Sequence, residues 1–199
     1  AIRQNYSAMV ENIDRWAGLL IDEIRARGEL DNTLIVWSSD HGEMLGDHSR
    51  WGKSVPFQPS VGVPLVVAGP GVKPGLVSDA LVSVVDLAAT FLDYAGLPRP
   101  AAMDSRSLRP VLEGHTRSHR EFVFSGLGDW RVVLDRRYKL ICGFPSADSL
   151  PLLFDLEADP LENRPLSAAS ARDLPVLQHP NPGTDGRFPN SPTDEVHTL

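Results

Sequence analysis

One cysteine, Cys142, occurs in the 199 residues. No internal disulfide framework can therefore form, and the residue says little about compartment. No stretch approaches the ~18 uninterrupted apolar residues of a membrane span. Long basic runs are also missing and the formal net charge is −7, which excludes a general nucleic-acid binder and leaves room only for a local basic pocket. The chain has no initiating Met, no signal-peptide pattern and no internal repeat. Opening at Ala1 almost directly into a helical pattern, it is expected to be a piece of a longer polypeptide, with any targeting information upstream. What is present, 42% hydrophobic and 23% charged residues, is enough for one sizeable domain, or one with a small annex.

The first periodic segment, residues 4–27, predicts an amphipathic helix. Tyr6, Val10, Ile13, Ala17, Leu20 and Ile24 recur every three or four residues, and Gly28 supplies a stop. Thr33 to Trp37 is β-branched and apolar almost throughout, which fits a strand buried on both faces, as in a parallel sheet. A second apolar run, Val63 to Ala68, ends in the turn signal Gly69-Pro70-Gly71. Residues 84–95 predict another helix, with Asp86 near its start and Gly96 just past its end. Helix, strand, long loop, strand, helix in that order predicts an α/β layer architecture. After Pro98 a short helix at 107–114 is followed by "EFVFS", "WRVVL", "YKLIC" and "PLLFDL", spaced as a small antiparallel meander. The division expected is 1–97, 98–165 and a tail, 166–199, too poor in large apolar residues to fold.

Chemistry concentrates in "TLIVWSSDHGEMLGDHSRWGK", residues 33–53. In open α/β sheets, ligands bind beyond the carboxyl ends of strands, and Asp40 and His41 stand at such an end. A carboxylate and an imidazole held side by side can take a divalent cation. Gly42 lets the backbone turn away, and Lys53 lies one loop further on. The plainer alternative is a polar turn, in which Asp40 caps and Gly42 bends. Asp47 and His48 read equally as a polar loop or as support for a ligand, and Trp51 as a pocket wall or a loop anchor.

The ordered set "NTLIVWSSDHGEMLGDHSRWGKS…VPLVVAGPGV" resembles the sulfatase family of the alkaline phosphatase superfamily. The family pattern is a strand ending in Ser-Asp-His/Asn-Gly, then Leu-Gly-acid-His, Trp-x-Lys and Val-Pro-Leu. "SVVDLAATFLDYAGLP", "DSRSLRPVLEG", "RRYKLI" and "LFDLEADPLEN" continue the likeness, which covers residues 3–166. The fold this implies is part of a sulfatase-like α/β sandwich followed by a small antiparallel sheet. The resemblance makes Asp40 a metal ligand, His41 a residue at the metal and the sulfate, and Lys53 a cation reaching the sulfate group or the ester oxygen. His48 matches a frequent histidine of the same loop and is a further catalytic candidate beside Lys53. The cofactor implied is calcium, with magnesium or manganese as substitutes. Because calcium prefers oxygen ligands, either His41 mainly hydrogen-bonds the sulfate or a softer metal such as manganese is used.

Departures accompany the likeness. Phe57-Gln58 and Gly62 stand where the family often has an aromatic-Glu pair and an Arg, and Ser105-Arg106 where Gly is common. The closing helix that usually follows Asn163 is replaced by "RPLSAASARDLPVLQHPNPG". The Cys/Ser-x-Pro-x-Arg motif that matures to the formylglycine nucleophile, and the family's early Asp pair, do not occur, and Cys142 in "YKLICGFPS" reads as a small buried hydrophobe. The expectation is a sulfuric ester hydrolase acting on a small-molecule sulfate ester, of which these residues form an incomplete piece, inactive alone and binding metal weakly. The alternatives are a phosphonate or phosphate ester hydrolase of the same superfamily, or a non-catalytic fragment or pseudoenzyme that only folds and binds.

Overall fold

The computed structural model describes residues 1–166; the tail expected to be disordered lies almost wholly outside them. Helix α1 runs Ile2–Ala26 and ends as expected, with Gly28 at φ +70 accepting the left-handed backbone that closes a helix. Strand β1, Ile35–Ser38, is followed by a long loop and the single turn α2, Gln58–Val61. Strand β2, Leu65–Ala68, then helices α3, Asp86–Tyr94, and α4, Arg109–Leu112, complete the first part. Strands β3 (Val123–Leu127), β4 (Trp130–Leu134), β5 (Tyr138–Cys142) and β6 (Leu152–Asp155) form one antiparallel sheet in sequence order. The α/β class and the small meander are thus as expected.

One expectation for β1 is corrected. Its neighbour is β2, paired antiparallel with Trp37 opposite Val66, and the strand is half-buried with Trp37 exposed. A β-branched run specifies a strand but not the direction of its partner, which the connection decides. Here the loop returns the chain beside the strand it left, and Ser38 Oγ donates to Pro64 O at 2.9 Å at the mouth of the pair.

The meander carries apolar side chains on both faces, because alternate residues of a strand point to opposite sides. Trp130, Val132, Ile141 and Phe154 face Met44 and Phe57 of the long loop. Val133, Leu140 and Leu153 pack on the other side with Phe122. The first cluster joins the sheet to the polar loop, and Trp130 Nε1 donates to Ser54 O at 3.2 Å. The sheet therefore backs the segment that carries the candidate site.

Candidate functional site

Strand β1 delivers Ser39, Asp40 and His41 at its C-terminal end. Ser39 Oγ donates to His41 O at 2.8 Å, and the His41 amide donates to Asp40 Oδ1 at 3.0 Å. Gly42 N–H donates to Ser60 O at 2.8 Å. A Cβ at Gly42 would stand 2.0 Å from the carbonyl oxygen of Pro59, so glycine is required by close approach of two backbones.

The imidazole of His41 is oriented by its own neighbour. Nδ1 lies 2.8 Å from Gly42 O; a carbonyl only accepts, so Nδ1 carries a proton and Nε2 is the ring nitrogen that faces Asp40 and is left to meet a ligand. Nε2 is 3.5 Å from Asp40 Oδ2, and both side chains are open to solvent. Burial would raise the Asp40 pKa, but the amides of Asp40 and His41, the imidazole and the Ser39 hydroxyl hold the carboxyl below its ordinary value of 3.8. A carboxylate oxygen and an imidazole nitrogen 3.5 Å apart suit two neighbouring ligands of one divalent cation, each about 2.0–2.5 Å from it. The donor set fits a metal but is small: no group of three or more His, Cys, Asp or Glu side chains able to hold an ion occurs among the described residues.

The loop from 43 to 54 is held in an unusual backbone. Leu45, His48, Ser49 and Ser54 have positive φ, as do Gly46 and Gly52; such conformations persist only where surroundings enforce them. Glu43 Oε1 accepts from Gly52 N at 2.6 Å and Leu45 N at 3.2 Å. Arg3 of α1 donates to Leu45 O at 2.7 Å and pairs with Asp47 at 3.2 Å. Trp51 is exposed and approaches Gly46. His48 stacks on Phe57, with centroids 4.1 Å apart and ring planes nearly parallel, so its ring helps to anchor the loop. Lys53 is exposed and makes no hydrogen bond or ion pair among the described residues. Nothing in the sequence marks Glu43 or Arg3 as loop-holders, since their partners are backbone atoms and a distant carboxylate. Cys142, at the end of β5, is half-buried beside the second apolar cluster, and burial raises its pKa.

An α/β chain with an exposed carboxylate–imidazole pair at the end of a strand, and a lysine on the strained loop beyond, is the class that fold and site define. The chain is a sulfatase-family region: residues 1–97 match the family model described as Sulfatase. Arylsulfatase K of Homo sapiens is 33% identical over 174 residues, covering 81% of this chain and 32% of that protein. The solved structure of BT4656 in complex with its substrate D-glucosamine-2-N,6-O-disulfate matches with a TM-score of 0.76 at 30% identity, over 81% of this chain and 35% of that one. The phosphonate monoester hydrolase of Silicibacter pomeroyi matches with a TM-score of 0.67 at 36% identity, over 74% of this chain and 33% of that one. The chain thus spans about a third of the length of these relatives.

Proposed function

We propose that this chain supplies part of the centre of a sulfuric ester hydrolase, with Asp40 and His41 as metal ligands and Lys53 as the cation that meets the ester. The observation that carries the reading is the 3.5 Å separation of Asp40 Oδ2 from a His41 Nε2 whose partner nitrogen is tied to Gly42 O. Calcium is the metal we favour from the family likeness, with manganese and magnesium as substitutes. When bound, such a cation would neutralise charge on the ester oxygens and lower the pKa of the attacking group. His41 orients one face of that charge, and Lys53 stabilises it on the ester or leaving oxygen. Residues 1–97 form the site-bearing part in this proposal, 98–165 the sheet that supports it, and His48 holds the loop on which Lys53 sits. The Cys/Ser-x-Pro-x-Arg nucleophile motif is not among the 199 residues, so the chain by itself is expected to hydrolyse neither aryl sulfates nor phosphonates at an enzymatic rate.

Manganese serves as the test metal because its paramagnetism reports location. Titrating Mn²⁺ into the 199-residue chain should broaden the NMR signals of Asp40 and His41 first, with an affinity of roughly 10⁻⁴–10⁻³ M, and calcium should compete. The Asp40→Ala, His41→Ala double substitution should abolish the effect. Broadening centred elsewhere, or none at all, would sink the assignment. The likeness to the phosphonate monoester hydrolase supports a second reading, an ester of phosphonate or phosphate. A substrate panel on the polypeptide carrying this chain with the nucleophile motif separates the two.

A further inference from the structure

The geometry points to Lys139 and Glu162 as positioning residues for the Asp40–His41 pair: a buried ion pair on the meander sets the place of α2 and, through it, the backbone of Gly42. This inference rests on the site reading above for its meaning, but not for its first measurement.

Both side chains of the pair are fully buried, with Lys139 Nζ 2.5 Å from Glu162 Oε1. At that separation the ammonium and the carboxylate are in direct contact, with no other side chain between them. Burial lowers the pKa of the Lys139 ammonium, and Glu162 opposes the shift. Replacing such a pair by well-packed apolar side chains is often neutral or stabilising; its presence is therefore better explained by where it puts something than by overall stability. Glu162 sits at φ +55, a backbone that non-glycine residues adopt at a cost. Its second oxygen accepts the Gln58 amide at 2.5 Å.

Gln58 is the first residue of α2. Two residues on, Ser60 O receives the Gly42 amide at 2.8 Å. The absent Cβ of Gly42 leaves room for Pro59 O and Gly62 O and little else. Displacing α2 must displace Gly42, and Gly42 O is the atom that holds His41 Nδ1. The connection runs from β5 through the closing segment and α2 to the imidazole, each link a named contact.

Two variants of the 199-residue chain test it, read by amide hydrogen exchange. In Lys139→Met with Glu162→Leu the pair becomes apolar and the Gln58 amide loses its acceptor. In Gln58→Pro the same bond is lost from the other side. Proline suits the first position of a helix, and Phe57 is already extended at φ −74, ψ 153. Gln58→Ala, which keeps the amide, is the control. Exchange at Gly42 should quicken about tenfold or more in both variants but not in the control, while Val133 and Leu140 in the sheet change less than about twofold. Mn²⁺ affinity should fall about threefold or more alongside. Unchanged exchange at Gly42, a uniform rise across the sheet, or loss of folding in both variants would assign the pair to general packing and overturn the inference. If the unsubstituted chain binds no Mn²⁺, the metal reading fails while the exchange at Gly42 still decides this one.

Discussion

Asp86 shows how much a single buried carboxylate can tie together. Its side chain has no solvent exposure, and Arg120 grips it with two bonds, Nε to Oδ2 at 2.8 Å and Nη2 to Oδ1 at 2.5 Å. His119 Nε2 lies 3.1 Å from Oδ2, and the amides of Ser83 and Arg106 donate to the carboxylate at 3.0 and 2.9 Å. Burial would raise its pKa, but Arg120, His119 and the Arg106 amide hold it well below 3.8. Asp86→Asn should cost about 2–4 kcal/mol, since the mostly buried Arg120 would be left without its counter-charge; a urea titration measures it. The pH dependence follows from the same depression. Below about pH 3.8 the unfolded carboxyl takes a proton that the folded one refuses, so this stabilisation is complete above that pH and is lost as pH falls toward the folded pKa. The Asp86→Asn protein should show a flatter acid limb, and an unchanged one would argue against the role. In the sequence Asp86 reads as a helix-start acid. Its burial does not, because His119 and Arg120 lie more than thirty residues away.

Among the elements, the strained loop and the meander stand or fall together. Phe57 lies between the His48 stack and an edge contact to Phe144 at 5.4 Å, and it is buried against Met44 and Trp130. Phe57→Ala should therefore cost about 3–5 kcal/mol by thermal or chemical unfolding. It should also release His48, which would appear as a new environment for its ring signals in NMR. A loss confined to stability, with His48 unmoved, would refute the anchoring role. The meander was legible in the sequence from four short apolar runs between turns. That its face meets the polar loop was not, since Met44 and Phe57 sit in segments with no periodicity. The direction of the β1–β2 pairing was equally hidden, because alternation and β-branching describe a strand's faces and not its neighbours.

At the scale of the whole molecule, the first helix is the anomaly. No residue of α1 is buried, and Met9, Ile13, Trp16 and Leu20 line an apolar stripe that stays about half or more exposed. Nothing among the described residues covers it, and a stripe of this size is accessible to apolar probes. The chain should bind a hydrophobic dye such as anilinonaphthalene sulfonate at neutral pH, and Ile13→Lys with Trp16→Lys should lower the fluorescence; undiminished signal would place the accessible surface elsewhere. No helix among the described residues is long and apolar enough to cross a membrane, so the stripe is not a span. The helix itself, the strands, the meander and the ordered motif from Asp40 to Lys53 were determined by the sequence alone, because periodicity, turn residues and motif order are local or linear properties. Only the tertiary structure decided that Asp40 and His41 present their atoms 3.5 Å apart, that His48 stacks on Phe57, and that Lys139 and Glu162 meet in the interior. Those facts depend on which distant segments share one volume, and close packing settles that question where no short pattern in the chain can record it.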